Sequence, residues 1–388
     1  MKPRLSILQV LEKGSLTTGS VVQMYELARG LAARGHRVAV VSRPEGEVVL
    51  RSRADGIPIF PVPLRHEFDF GSAGLLAGLI DERAVDVVHV HKGIAHSAAL
   101  FATVFSRRRP RPVLVVNRGV SFPLDRASSL KYRFRLDAVV TVCEDIRRVV
   151  IESGGVPPEK VHVVYAGVDL ARFDPTRADG PRVRREWGVS ADEKLLVQVG
   201  ARDWKGWRDL VSAAALLAPA FPGLRTAVIA CKDEAERERV LAFAGEKGVR
   251  DRVLAIGFRG DMPDVLAAAD IVADLSSEGL GITGTIREAM ALARPVVASS
   301  AGGNPELVED GISGLLVPPH DPPAVAAAVG RILENPGLAG ELAAAARERV
   351  VRGFSTEVRL DRIEELYSRL IAGRARAGRS REATTVSR

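Results

Sequence analysis

The chain has little cysteine, few aromatic residues and no long apolar run. Its 388 residues include two cysteines, Cys143 and Cys231, which cannot frame a disulfide-stapled fold. Both lie in apolar contexts, and a reducing cytosol suits them. The longest apolar runs fall far short of the roughly 20 residues that span a bilayer. The opening MKPRLSILQVLEKG is too short in its apolar part for a secretion signal and reads as a first buried strand. Aromatics make up 5%, and there is no zinc-finger spacing, ribonucleoprotein motif or helix-turn-helix pattern, so nucleic acid is not an expected partner. No strand is followed by G-x-G-x-x-G with a later acid, which argues against a dinucleotide dehydrogenase. No D-x-D pair occurs, and His89 and His91 alternate on one strand without a third ligand, so no metal site is expected.

What charge there is lies unevenly. Residues 1–174 hold 25 Lys and Arg against 18 Asp and Glu; residues 175–373 hold 25 against 29. The last fifteen residues, RARAGRSREATTVSR, carry five Arg and one Glu. A basic first half and tail attract anionic partners, or simply keep the protein in solution.

Hydrophobic content of 46% supplies ordinary cores, and the length suggests two domains. Short β-branched runs alternate with helical patterns: LSILQVL, then a Gly/Ser/Thr loop and a helix from about Ser20 to Arg34, then RVAVVS, VDVVHVH, PVLVVN and AVVTVC. This rhythm predicts βαβ units on a parallel sheet buried on both faces. It pauses over Val161–Arg182, a stretch rich in Pro, Gly and Asp, and restarts with KLLVQVGA, LRTAVIAC, VLAIGF, DIVADLS and RPVVASS. The expected organisation is a first domain 1–176, a second 177–355, an amphipathic helix 356–373 and a disordered basic tail 374–388. Ligands of such sheets bind beyond the carboxyl ends of the strands, and the cleft between two such domains is the expected site.

Three loops at those ends carry candidate chemistry. In VGARDWKGW, Gly200 ends a strand and Arg202 and Lys205 precede a helix; the two cations either grip a diphosphate or solvate a loop. In SSEGLGITGTIREAM, Gly279, Gly281 and Gly284 permit close backbone approach, and amides ahead of a helix attract an anion. Glu278 and Glu288 suit paired sugar hydroxyls. Glu288 has a competing structural reading, since Thr285-Ile286-Arg287-Glu288 is a capping-box pattern. Ala301-Gly302-Gly303-Asn304 forms a third loop, followed by a hairpin-like turn and a further strand.

Taken together, Lys205-Gly206, Glu278-Gly279-Leu280-Gly281, Glu288-Ala289-Met290-Ala291, Pro295 to Ser299, Gly302-Gly303, Glu306 and Gly314 to Pro319 resemble glycosyltransferase family 4. The likeness extends from residue 5 to about 372 through LARGLAARGHRVAVV, VDVVHVH, YAGVDLARF and the last helix. It implies the α/β GT-B architecture: two Rossmann-like doubly wound domains facing a central cleft, with a C-terminal helix returning to the first domain. It implies sugar transfer from a nucleotide sugar to an acceptor hydroxyl, with retention of configuration and with neither metal nor cofactor. By the same resemblance Arg202 and Lys205 bind the donor diphosphate and Glu288 the ribose. Glu278 with Gly279, Leu280, Gly281 and Ile282 holds the donor sugar and distal phosphate. Gly257, Phe258 and Arg259 line the base pocket. The loop Gly14–Ser20, with Gly19 and Ser20, approaches donor phosphate and acceptor.

Two departures stand out. Nine residues separate the two glutamates where the family has seven, and the two-residue surplus falls within Thr283-Gly284-Thr285, whose hydroxyls can face phosphates. Where many members carry a histidine after the fourth strand, this chain has Asn117 and Arg118. An arginine cannot serve as a base there, but it can hold an anionic group on donor or acceptor. The expected partners are a nucleotide sugar and a saccharide or glycolipid acceptor in lipopolysaccharide or polysaccharide synthesis, at the inner face of an anionic membrane. The rival reading is a non-catalytic binder of nucleotide sugars or polyanions.

Overall fold

The computed structural model describes residues 3–15, 19–278 and 281–386, the stretch 375–386 as backbone. The chain forms two units. Unit 1 comprises Met1–Gly167 and Thr356–Arg388, and unit 2 comprises Val168–Ser355. The change of unit thus falls at 167/168, earlier than the expected 176/177. The reason is local pairing: the Val168 N–H donates to the Phe354 carbonyl at 2.9 Å, and Val168 bridges Ser355.

Unit 1 holds seven parallel strands: β1 (Ser6–Val10), β2 (Arg37–Ser42), β3 (Ile59–Pro61), β4 (Val87–Val90), β5 (Val113–Arg118), β6 (Ala138–Thr141) and β7 (Val161–Val163). Their order is β3-β2-β1-β4-β5-β6-β7. Unit 2 holds six: β8 (Lys194–Val199), β9 (Leu224–Ile229), β10 (Val253–Ala255), β11 (Ile271–Asp274), β12 (Val296–Ser299) and β13 (Leu315–Val317), in the order β10-β9-β8-β11-β12-β13. Both orders reverse beside the first strand of the unit, at β1/β4 and β8/β11, which is where such sheets receive ligands. The central strands are apolar on both faces because helices cover both. The turn after Gly303 returns β13 parallel to β12, so it is a short crossover and not a hairpin.

The last helix, Thr356–Val386, belongs to unit 1. Leu360, Ile363, Leu366 and Tyr367 are buried in the same core as Leu27 and Leu31 of the helix Gly19–Ala33. Gly30 is the close approach: a Cβ there would meet Leu360 at 2.6 Å. The tail expected to be disordered from residue 374 continues this helix instead. Its Arg and Ala are strong helix formers, and Arg374 is fastened to Asp137 and to the Arg111 carbonyl. Among the described residues, no helix is long and apolar enough to cross a membrane.

Candidate active site

The carboxyl ends of β8, β11 and β12 bring the second unit's candidates together. β8 ends before Gly200, whose φ of +108° only glycine adopts freely. A Cβ there would meet the Lys205 side chain at 3.0 Å, so the lysine stem lies across the glycine. Lys205 Nζ then reaches Asp274 Oδ2 at 3.3 Å and sits 4.8 Å from the centre of the Trp204 ring. Its own carbonyl accepts from Gln198 Nε2 at 2.9 Å. Gly206, at φ +74°, backs onto the next strand so closely that a Cβ would lie 2.2 Å from the Leu275 carbonyl oxygen. The Ser277 N–H to Trp204 carbonyl bond, at 2.9 Å, closes the same junction. The loop 200–206 is therefore clamped against the end of β11. Arg202 stands exposed at its crest.

Beneath the glycine-rich loop lies a buried polar chain. Asp274 Oδ1 accepts from the Ser276 N–H at 3.2 Å and from the Ser276 hydroxyl. The Ser299 hydroxyl donates to the Ser276 carbonyl, and Asn304 Nδ2 donates to the Ser299 carbonyl at 3.0 Å. The Thr283 hydroxyl donates to Asn304 Oδ1 at 2.8 Å. All five residues are buried. In a low-dielectric setting such a satisfied network fixes one arrangement, since breaking any link strands a polar group. Asp274 lies in none of the loops that the sequence motifs pick out, and Ser276, Ser299 and Asn304 stand in them without an assigned role. The signal available was the acid inside the apolar run DIVADLS.

The helix after this loop spans Gly284–Ala291 with Thr283 as its N-cap, and no side chain caps it. Glu288 therefore lies beyond its first turn, and the capping-box reading, which needed Thr285 as cap, fails. Thr283 is spent on Asn304. Thr285 and Gly284 are half-buried in the first turn, and Glu288 Oε1 approaches to 3.9 Å of where a Gly284 Cβ would stand. Glu278 is exposed, Gly281 half-buried and Ile282 buried. Gly279 and Leu280 lie outside the described residues.

Arg259 sits apart from this group. It forks onto Asp261, at 2.8 and 2.7 Å, and onto Glu186, at 2.9 Å from Nη2. Together with Arg182 on Asp261 and Asp264 this is an ion-pair web tying the helix Gly180–Glu186 to the helix Met262–Ala268. It holds the Asp261 carboxyl well below the usual carboxylate range, chiefly through the Arg259 bonds. The Arg259 side chain is thus committed to carboxylates, while Phe258 beside it is exposed.

In unit 1 the corresponding strand ends are lined differently. Beyond β1 and β2 a cavity of about 480 Å³ is lined by Glu12, Lys13, Gly14, Ser15, Arg43, Pro44 and Glu45. Gly14 and Gly46 press together there, with a Cβ on Gly46 only 2.7 Å from Gly14. Gly19 and Ser20 begin the helix Gly19–Ala33. Burial, followed by the neighbouring Lys13, lowers the proton affinity of Lys92 past the end of β4. Asn117 and Arg118 end β5 half-buried. Arg118 donates to the Phe122 carbonyl and stands 6.0 Å over the Tyr132 ring, and its Nε has no hydrogen-bond partner among the described residues.

His89 and His91 stack at 4.5 Å within the sheet. His89 Nδ1 pairs with the Tyr367 hydroxyl and His91 Nε2 with Gln9 Oε1, each at 2.6 Å. Burial, and then Arg359, pushes His89 down to about 3, and burial, then His89, pushes His91 well down. They are neutral structural rings: His89 binds the last helix to the sheet and His91 joins β4 to β1. Among the described residues, no group of three or more His, Cys, Asp or Glu is placed to hold a metal.

The chain is similar in sequence and fold to known proteins. Residues 17–172 match the model for Glycosyltransferase Family 4, and residues 193–335 that for Glycosyl transferases group 1. A D-inositol 3-phosphate glycosyltransferase from Acidothermus cellulolyticus is 30% identical, over 95% of this chain and 89% of its own. A solved glycosyltransferase from Rickettsia africae superposes with a TM-score of 0.86 at 22% identity, covering 95% of this chain and 99% of that one. Anabaena HepE, solved in complex with UDP, gives 0.81 at 22% identity, covering 94% and 100%. The chain is an enzyme of glycosyltransferase family 4, built on two Rossmann-like domains of the GT-B fold.

Proposed function

We infer that the protein transfers a sugar from a nucleotide sugar to an acceptor hydroxyl with retention of anomeric configuration. The observation that carries this reading is Lys205, held over Gly200 by Asp274 at the switch point of the second sheet. A lysine there neutralises charge on a departing nucleoside diphosphate, and Arg202 and the amides ahead of Gly284–Ala291 add to it. Glu278, Gly281 and Ile282 hold the donor sugar, Glu288 holds the ribose, and the backbone Gly257 to Arg259 borders the base. The acceptor hydroxyl attacks from the face the diphosphate leaves, and that phosphate takes its proton. Neither a metal ion nor a cofactor takes part in this scheme.

Arg118 suits a phosphate or carboxylate on the acceptor. The name of the Acidothermus relative is that of an enzyme for a phosphorylated acceptor. Unit 1 holds 32 Lys and Arg against 21 Asp and Glu, net +11, whereas unit 2 holds 23 against 27, net −4. Such a first unit fits a glycolipid or polysaccharide precursor at the inner face of an anionic membrane, as in lipopolysaccharide synthesis, with the enzyme on the cytoplasmic side. The test is a screen of UDP-, GDP- and ADP-sugars for nucleoside diphosphate release, followed by NMR of the product anomer. Release without sugar transfer, or an inverted anomer, overturns the reading.

A further inference from the structure

Of the fourteen exposed large apolar side chains among the described residues, ten lie in unit 1. Six of these fall within residues 104–135: Val104, Phe105, Val120, Phe122, Leu130 and Phe134. The same segment carries nine Lys and Arg and a single carboxylate, Asp125. Asp125 is occupied as the N-cap of the helix Arg126–Arg133, accepting from the Ser128 N–H at 2.7 Å.

Two elements of this segment meet at one edge, where Phe105, Phe134 and several Arg are exposed. The helix Arg126–Arg133 is pinned by Tyr132, 4.9 Å from His96, and by Lys131, 2.7 Å from Glu67. That anchoring leaves Arg126, Leu130, Arg133 and the following Phe134 exposed. Arg135 donates to the Thr103 carbonyl at 3.3 Å, which joins this helix to the end of Gly93–Phe105. There Phe105 lies 6.4 Å from both Phe70 and Phe101, an aromatic cluster in which Phe70 too is exposed. Exposed Arg107 and Arg109 follow at once. Arg374 fastens the last helix to Asp137, three residues beyond Phe134, so the basic stretch 374–386 departs from the same edge.

We propose that this edge of unit 1, built from Phe105, Arg107, Arg109 and the exposed residues of Arg126–Phe134, docks on the surface of an anionic bilayer. Exposed Phe and Leu interleaved with Arg are what an interfacial contact requires: apolar rings enter the headgroup boundary and cations pair with lipid phosphates. A second copy of the chain fits less well, because a self-complementary contact would press the exposed Arg107, Arg109, Arg126, Arg133 and Arg135 against their own copies. The assignment rests on the membrane-proximal reading above and adds the face that makes the contact.

The full chain is tested by co-sedimentation with phosphatidylglycerol vesicles and with neutral phosphatidylcholine vesicles. The wild type partitions onto the anionic vesicles and is released by salt. The double variant Phe105→Ser/Phe134→Ser and the variant Arg126→Glu/Arg133→Glu each bind on the order of tenfold more weakly. Their thermal midpoints and their turnover of a water-soluble acceptor stay at the wild-type level. No binding by the wild type overturns the membrane reading itself. Wild-type binding that both variants match overturns only the assigned face. Self-association on sizing that the variants abolish shows that a second copy covers the face, and also overturns the proposal.

Discussion

The two sheets share a topology but end differently at their carboxyl rims. In unit 2 the strands end in an ion pair, a buried carboxylate and a chain of hydroxyl and amide bonds that fix two loops. In unit 1, β4 ends in neutral, buried histidines, and the loops beyond β1 and β2 mix Lys13 and Arg43 with Glu12 and Glu45. The second rim is fixed by its own side chains, a preorganised arrangement of charge and hydrogen-bonding groups. The first rim keeps its short polar contacts, His89 with Tyr367 and His91 with Gln9, inside the sheet.

The largest effect that would break this comparison is chemical. Lys205→Ala should lower turnover on the order of 10²–10³-fold, the scale of losing one charge-stabilising donor. It should also destabilise unit 2 by about 1–3 kcal/mol, because buried Asp274 loses its cation. Pairing Lys205→Met with Asp274→Asn should restore the melting midpoint and leave turnover low. A double variant with restored turnover would remove Lys205 from the chemistry.

Next comes backbone geometry. Gly206→Ala puts a methyl 2.2 Å from a carbonyl oxygen at a left-handed residue and should cost about 3 kcal/mol or more in a denaturant titration. Gly119→Ala, at the end of β5 in unit 1, has nothing within 4 Å of the new methyl and should be nearly silent. Equal costs would show that the second rim is no stiffer than the first.

Acid should separate the units. His89 and His96 are held near 3 by burial, with Arg359 and Lys131 respectively adding to the depression, and His91 is also pushed well down. In the unfolded chain all three titrate near 6.5. Below pH 6.5 the unfolded state therefore binds more protons, so stability falls as pH drops from 6.5 toward 3. The slope is up to about 1.4 kcal/mol per pH unit for each ring, and nothing is lost above 6.5. The one histidine of unit 2, His320, is exposed. All three tryptophans, Trp187, Trp204 and Trp207, lie in unit 2, so their emission follows that unit alone. At pH 5, circular dichroism should report loss of structure under milder urea than tryptophan emission does. Coincident transitions would refute the difference.

The smallest effect is at the loop itself. Thr283→Val removes the bond to Asn304 and should cost about 1 kcal/mol of stability, with a modest rise in donor KM. An unchanged KM would mean that the buried chain supports the sheet and not the loop.

Much of this was legible in the sequence. Strand rhythm gave most of both sheets, though not the short β3 and β7, and the spacing from Lys205 to Glu288 marked one rim. What remained hidden depends on residues far apart in the chain. Lys205 and Asp274 are 69 positions apart, and the Thr283 hydroxyl is claimed by Asn304, 21 positions on. The capping-box pattern failed for that reason: local spacing offered Thr285 as cap, but the helix starts two residues earlier, behind Thr283. Composition also misjudged the tail, since Arg-Ala sequence with few apolar residues can extend a helix that a core has already nucleated at Leu360 to Tyr367.

That core has a consequence for synthesis. Unit 2 is one continuous segment, with its two ends paired at Val168 and Phe354. Unit 1 needs Ile363, Leu366 and Tyr367 to close its wall, and these leave the ribosome after all of unit 2. The usual order, in which the N-terminal domain finishes first, is therefore inverted. The second-made domain can complete its core while the first-made one still waits, its strands already formed, for the last helix of the chain.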